Sequence, residues 1–138
     1  MMIGGIVVAE DRGLVGTSDA DVLLHAVADA ILGAAALGDL GTHFPSSDER
    51  WANADSGELL AHVVDLARGS GLLVDSVDAT VIAEKVRIGP HRESIRTRLA
   101  GLLDVLVDRV SVKATSTDGM GYIGNDEGIA AVAVVVLN

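Results

Sequence analysis

The stretch Ser18-Asp-Ala-Asp-Val-Leu-Leu-His25, which runs directly into an apolar, alanine-rich segment, carries the clearest structural signal in the chain. Asp21, His25 and Asp29 recur every fourth residue, so a helix would place them along one face. Ser18 stands three residues before Asp21, as an N-cap before an acidic residue would. A histidine between carboxylates is suited to metal ligation. A capped helix with an ordinary polar face is the alternative.

Length and composition narrow the class of protein. The chain has 138 residues, which predicts a single domain over residues 1–138 with a sizeable core. Hydrophobic residues make up 49%, yet Phe44, Trp51 and Tyr122 are the only aromatic ones, so the core should be aliphatic. A net charge of −10 argues against binding to nucleic acid or to an anionic membrane. The lack of cysteine excludes disulfides, iron–sulfur clusters and thiolate zinc sites.

Targeting and membrane signals are weak in this sequence. No basic segment precedes a long apolar run, so we expect no signal peptide. The longest apolar run, residues 129–137, is shorter than the roughly 20 residues that a membrane-spanning helix needs. These features predict a cytoplasmic protein.

Apolar and glycine-rich segments alternate along the chain and predict mixed strands and helices. The class is therefore α/β, in the form of an α+β two-layer sandwich with a mixed sheet packed on helices. The last strand is apolar on both faces, so we expect both to be buried. The expected strands are residues 2–8, a segment within 72–84, 109–114 and 129–137, and the expected helices are residues 19–37, 56–69 and 90–103.

Three further segments are candidates for ligand binding. Asp39 follows a helix end, where the dipole disfavours a carboxylate, so it serves either a ligand hydroxyl or a turn. Cations cluster at the strand-to-helix junction of residues 83–92, which is suited to an anion and is otherwise a solvated patch. Residues 113–128 carry three successive hydroxyls, an acid and several glycines, a pattern suited to phosphate and a hard cation, or to a glycine-rich hairpin.

Six motifs, taken in this order, resemble those of the 2-C-methyl-D-erythritol 2,4-cyclodiphosphate synthases, enzymes of the non-mevalonate route to isoprenoids. The resemblance covers nearly the whole chain. The motifs are Ser18-Asp-Ala-Asp-Val-Leu-Leu-His25, Ala34-Ala-Ala-Leu-Gly-Asp-Leu-Gly41, Phe44-Pro45, Gly89-Pro-His-Arg92, Val112-Lys-Ala-Thr115 and Glu127-Gly-Ile-Ala130.

The resemblance implies a homotrimer whose sheets face a central axis, with active sites between subunits. It implies a phosphorus–oxygen lyase that cyclises 4-diphosphocytidyl-2-C-methyl-D-erythritol 2-phosphate and releases CMP. Zinc and a second divalent cation, Mg or Mn, would neutralise the phosphates. Such a reaction depends mainly on positioning and electrostatic stabilisation.

The resemblance also assigns roles residue by residue. His25 matches a zinc ligand, and Asp118 takes the place of a glutamate that helps bind the second metal. Ser116 replaces a threonine that stabilises the transition state. Thr17 replaces a histidine that contacts the substrate in the transition state. The catalytic set is thus Thr17, Ser116 and Asp118. The substrate-binding set is Ser18, Asp39, Leu40, Gly41, Phe44, Pro45, Ser46, Ser47, Asp48, Ala83, Glu84, Lys85, Val86, Arg87, Ile88, Gly89, Thr115, Ser116, Tyr122 and Asn125.

The chain departs from the family pattern at several positions. The family begins with a strand carrying Asp-x-His, which supplies two of three zinc ligands, and that motif does not occur here. Asn125 stands in place of a usual arginine, and Val86-Arg87 in place of Pro-Lys. One explanation is that the natural start lies upstream. The other is a divergent, non-catalytic trimer that binds a cytidine nucleotide or another phosphorylated ligand. The missing ligands predict poor zinc binding and little turnover.

Overall fold

The first apolar segment forms a hairpin, so the single strand expected over residues 2–8 is wrong. The computed structural model describes residues 1–10 and 20–138. Strand β1 (Met2–Ile3) pairs antiparallel with β2 (Ile6–Val7). Gly4 and Gly5 between them have φ of +62° and +78°, a conformation that favours glycine, and this turn divides the segment.

Helix α1 (Val22–Ala34) is shorter at both ends than the helix expected over residues 19–37. Its N-cap is Asp21, whose carboxylate accepts a hydrogen bond from Leu24 N at 3.1 Å. Ala36 has φ +56°, and Leu37 N donates to the carbonyl of Leu32, so a Schellman motif ends the helix. The structure describes no part of the cap predicted at Ser18.

The helix predicted from Ser56 is confirmed as α3 (Ser56–Gly69), and Asp55 is its N-cap. The segment between α1 and α3, where no helix or strand was expected, contains α2 (Leu40–His43) and a 3-10 turn at Glu49–Trp51. The third long helix is preceded by a 3-10 turn that contains Pro90. The remaining helices are α4 (Arg92–Leu103) and the single-turn α5 (Gly121–Gly124).

The main sheet is mixed, as expected. Strand β3 (Val74–Ile82) lies between β4 (Val110–Thr115), which runs parallel to it, and β5 (Ala130–Leu137), which runs antiparallel. The order is β4-β3-β5 within the described residues. The carboxyl ends of β3 and β4 therefore lie side by side, and this places two of the predicted binding segments next to each other.

The helices cover one face of the main sheet and form an aliphatic core with it. Helix α1 contacts α3 and β5, and α4 contacts β4. The largest fully buried side chains include Leu23, Ile31, Leu60, Ile95 and Leu99. This arrangement confirms the two-layer α/β architecture.

The opposite face of β5 is exposed in the part of the chain that the structure describes. Val132, Val134 and Val136 are 56%, 63% and 51% exposed. The expectation that β5 is buried on both faces is therefore wrong for a single chain, because the helices cover one side of the sheet only. In residues 1–10 and 20–138, no helix has both the length and the hydropathy to cross a membrane.

Candidate functional site

A cavity of about 320 Å³ lies between α1, α2, the loop that follows α2, and α3. Several residues predicted to bind metal or substrate line it. The cavity thus brings together residues as far apart in the sequence as His25 and Ser46, which are separated by 21 positions. The lining residues are His25, Leu40, Gly41, Phe44, Pro45, Ser46, Trp51, Ala52, Asn53 and Leu59.

His25 projects from α1 into the wall of this cavity, and its ring is held by a serine. Ser56 Oγ lies 3.0 Å from His25 Nε2, within hydrogen-bond distance. Ser56 is only 1% exposed and begins α3. Ser56 was not predicted as a site residue, because this contact joins residues 31 positions apart.

The two carboxylates expected to flank His25 have other hydrogen-bond partners. Asp21 is fully buried and accepts hydrogen bonds from Gly4 N at 2.9 Å and Gly5 N at 2.7 Å, besides the cap bond to α1. Asp29 accepts a hydrogen bond from Leu40 N at 3.2 Å. Asp21 therefore fastens the hairpin to α1, and Asp29 fastens α2 to it. Neither contact supports the predicted acidic surroundings of a metal ligand.

The described residues do not fit a zinc site. Within residues 1–10 and 20–138, no group of three or more His, Cys, Asp or Glu side chains could hold a metal ion. A structural or catalytic zinc normally takes at least three protein ligands. His25 with a serine hydroxyl falls short of that donor set.

Asp39 begins a helix, so the argument that the helix dipole disfavours its carboxylate is wrong. It is the N-cap of α2, and its Oδ1 accepts hydrogen bonds from Thr42 Oγ1 at 2.8 Å and Thr42 N at 3.0 Å. The hydroxyl bond, followed by the backbone bond, lowers the pKa of the Asp39 carboxyl. Both bonds use Oδ1, and no described hydrogen bond uses Oδ2. Oδ2 is therefore available to a ligand hydroxyl.

An aromatic cluster holds the loop after α2 against α3. The Phe44 ring lies perpendicular to Trp51 with centroids 4.7 Å apart, and His62 of α3 is 5.5 Å from Phe44. From the sequence, Trp51 was identified only as one of three aromatic residues, and no role in a site was predicted for it. The signal that could have selected it is that the single tryptophan of an aromatic-poor chain lies in a polar loop.

Within the same loop, Asp48 forms an exposed ion pair with Arg50. The two side chains are 2.7 Å apart, and the hydrogen bond from Arg50 lowers the pKa of the Asp48 carboxyl. Arg50 also lies over the Trp51 ring at 5.9 Å. Asp48 and Ser47 were expected to bind substrate, yet they do not belong to the cavity lining.

A second group of predicted residues lies where β3 and β4 end. Ala83 N donates to the Thr115 carbonyl at 3.0 Å, which fastens the segment after β3 to the end of β4. Asp118 N donates to Ser116 Oγ at 3.2 Å, in an exposed turn where Asp118 has φ +53°. The hydroxyls and the carboxylate of residues 115–118 are thus displayed together at the surface.

The segment of residues 83–89 offers both side chains and backbone. Lys85 and Arg87 are exposed, whereas Ala83 and Ile88 are buried and can offer a ligand only their backbone. Glu84 has one buried carboxylate oxygen, Oε2, without a hydrogen-bond partner among the described residues. Val86 packs against the core, and Gly89 begins the 3-10 turn that leads into α4.

The remaining predicted residues lie apart or outside the described part. Tyr122 is exposed on α5, and Asn125 is the C-cap of that helix. Thr17 and Ser18 lie outside the described residues. None of the second group, residues 83–89 and 115–118, belongs to the described lining of the cavity, so one chain presents the predicted site as two separate groups.

A wider groove of about 480 Å³ lies at the opposite ends of β3 and β4. It contains Arg92, Arg96 and Arg109, but Arg96 pairs with Glu93 and Arg109 pairs with Asp75. Arg92, the last residue of the predicted anion segment, lines it, but no described residue that the resemblance assigns to substrate or metal does. The cavity beside His25 is therefore the better candidate site.

The chain is similar to known proteins over its whole length. The sequence profile of the YgbB family matches residues 1–138. A 2-C-methyl-D-erythritol 2,4-cyclodiphosphate synthase of Salinibacter ruber is 53% identical over 137 residues, which are 99% of this chain and 87% of that protein. The bifunctional enzyme IspD/IspF of Rhizorhabdus wittichii is also 53% identical over 99% of this chain, but this chain spans only 36% of it.

A solved structure of a 2C-methyl-D-erythritol-2,4-cyclodiphosphate synthase in its CDP-bound form has the same fold. Its TM-score is 0.91 at 28% identity, over 100% of this chain and 89% of that one. The fold, the whole-length profile match and the identity to synthases of similar length agree with the resemblance in the motifs. The chain therefore belongs to the YgbB family, that of the 2-C-methyl-D-erythritol 2,4-cyclodiphosphate synthases.

Proposed function

We propose that this chain cyclises 4-diphosphocytidyl-2-C-methyl-D-erythritol 2-phosphate to 2-C-methyl-D-erythritol 2,4-cyclodiphosphate and releases CMP, as a phosphorus–oxygen lyase of cytoplasmic isoprenoid biosynthesis. The observation that carries this proposal is the family match over residues 1–138, together with the identity to synthases of similar length. The CDP-bound relative supports a cytidine nucleotide as the ligand class.

The two groups of residues divide the substrate between them. Oδ2 of Asp39 would accept hydrogen bonds from the ribose hydroxyls, and the cavity would take the methylerythritol part. Thr115 and Ser116 would bind phosphate oxygens. An oxygen of the 2-phosphate then attacks the β-phosphorus, the bond from that phosphorus to the oxygen bridging it to the α-phosphorus breaks, and CMP leaves with that oxygen. The chain contributes alignment and charge stabilisation rather than covalent chemistry.

A homotrimer would bring the two groups together at each subunit interface. The exposed valine face of β5 supports this, because monomers rarely leave a continuous apolar strand face in water. In such an assembly the sheets face the threefold axis, and the whole of residues 1–138 acts as one domain in each subunit.

The metal ions that the family resemblance implies would act on the phosphates of the substrate. Zinc, with Mg or Mn, would neutralise the phosphate charges, and His25 and Asp118 are the residues that the resemblance assigns to them. The described donor set does not fit zinc. The roles given above for Asp39, Thr115 and Ser116 rest on the chain's own side chains.

That mismatch favours a second candidate function, a non-catalytic trimer that binds a cytidine nucleotide. Incubation with the authentic substrate, with Mg²⁺ and Zn²⁺ added, separates the two. CMP release that falls about 100-fold in Ser116→Ala, but not in Ser111→Ala on the preceding strand β4, supports the synthase. CDP binding without CMP release supports the non-catalytic relative. A protein that neither releases CMP nor binds the nucleotide would contradict both candidate functions.

Zinc content is expected to be low. After dialysis against metal-free buffer, we expect less than about half a zinc ion per chain, because a site short of two ligands loses most of its binding free energy. Elemental analysis of the purified protein measures this content. Stoichiometric zinc that is lost in His25→Ala would show that the ligand set is complete after all.

A further inference from the structure

The contact between Ser56 and His25 joins two elements that the core holds rigidly. His25 lies in α1 and Ser56 is the first residue of α3. Leu24 of α1 and Leu60 of α3 are both fully buried in the same core, so the two helices cannot shift freely against each other. The 3.0 Å separation of Ser56 Oγ and His25 Nε2 is therefore set by the packing of the helices rather than by flexible side chains.

The burial of the serine also points to this hydrogen bond. Ser56 and Asp21 are the buried polar residues of the described part, and Ser56 is 1% exposed. A hydroxyl removed from water is retained in a protein interior when it is hydrogen-bonded. Asp55 beside it already caps α3, with its carboxylate accepting from Gly57 N at 2.6 Å. The helix start therefore does not depend on the Ser56 hydroxyl as its cap.

The two side chains differ in their access to a ligand. His25 lines the cavity, whereas Ser56 does not. A serine beside a histidine is also the arrangement of a nucleophile and its base. A nucleophile must reach the reacting atom, however, and Ser56 is buried and does not line the cavity. Its hydroxyl can affect a bound ligand through His25, which it contacts at 3.0 Å.

We propose that Ser56 is the positioning residue for His25, and that its hydroxyl fixes the orientation of the imidazole at the cavity wall. The inference deepens the proposed function, on which it rests for the identity of the ligand. A fixed ring presents one defined nitrogen to a phosphorylated ligand, since the hydrogen bond at one ring nitrogen determines what the other offers. Ser56 thereby links the start of α3, directly after the loop that lines the cavity, to the ligand-facing histidine.

The state of the His25 ring nitrogens tests the proposal directly. Long-range ¹H–¹⁵N NMR spectra of the full chain labelled at histidine give the state of each ring nitrogen at one fixed pH. In Ser56→Ala we expect the His25 Nε2 resonance to shift, while those of His43 and His91 stay in place. Ser70→Ala, at the exposed end of the same helix, is the control and should leave all resonances unchanged. A His25 ring that is unchanged in Ser56→Ala would overturn the proposal.

A double-mutant cycle tests whether Ser56 acts through His25, with CDP as the probe ligand. We expect Ser56→Ala to weaken CDP binding about fivefold in the wild-type background and not at all in the His25→Ala background. Ser56→Thr, which keeps the hydroxyl, should restore most of the affinity. Equal weakening in both backgrounds would show a merely structural role and contradict the proposal. If the wild-type chain fails to bind CDP, the proposed function fails, and the NMR comparison still decides the role of Ser56.

Discussion

Asp21→Ala is expected to lower the free energy of unfolding by about 3 kcal/mol. The substitution removes a buried carboxylate that accepts hydrogen bonds from Gly4 N, Gly5 N and Leu24 N. It therefore removes the cap of α1 and leaves the amides of the hairpin turn without their acceptor. Thermal unfolding followed by circular dichroism should show a midpoint about 10 °C lower.

Asp29→Ala is the matched control for that measurement. Asp29 is an acid of the same helix, but it accepts a single, exposed hydrogen bond from Leu40 N. Its loss should cost less than about 1 kcal/mol. Equal effects of the two substitutions would mean that Asp21 does not fasten the hairpin to α1.

Val134→Arg is expected to convert a trimer into single chains. Val134 is the most exposed of the three valines on the open face of β5, at 63%. In a symmetric assembly each subunit would place the new arginine at the same buried interface, where like charges face one another without partners. Light scattering after size-exclusion chromatography measures the mass in solution.

A second exposed valine provides the control for assembly. Val7, on the hairpin, is 50% exposed and lies on the helix side of the molecule, so Val7→Arg should leave the mass unchanged. A wild-type protein with the mass of one chain would contradict the proposed assembly. So would a Val134→Arg protein that keeps the wild-type mass.

Local sequence patterns predicted the helices and strands that are determined by residues close together in the sequence. Helix α3 begins at Ser56 as expected, because the apolar stripe and the polar residues before it lie within a few positions. The end of α1 was misplaced because Ala36, rather than a glycine, adopts the left-handed conformation of the terminating motif. Asp39 was misread for a related reason. The short α2 that it caps has no periodicity of its own.

The site could be predicted only as far as single residues. His25 and Phe44 were selected from motifs, and they do line one cavity. Ser56 and Trp51 were missed because their roles arise from contacts between α1, α3 and a loop, which no local pattern encodes. The prediction that Asp21 and Asp29 surround His25 was wrong for the same reason. Asp21 turns to the hairpin, a partner distant in sequence.

Affinity for cytidine nucleotides decides whether the chain has the ligand site proposed for it. Calorimetric titration of the wild-type chain with CDP, and separately with ADP, measures both affinity and base preference. We expect saturable binding of CDP, weaker binding of ADP, and a loss of about 1–3 kcal/mol in Asp39→Ala because its carboxylate accepts from ribose hydroxyls. Asp39→Asn, which keeps an acceptor for the Thr42 cap, separates the ribose contact from the fold of α2. No saturable heat with CDP, or equal affinity for ADP, would contradict the assignment of a cytidine nucleotide site.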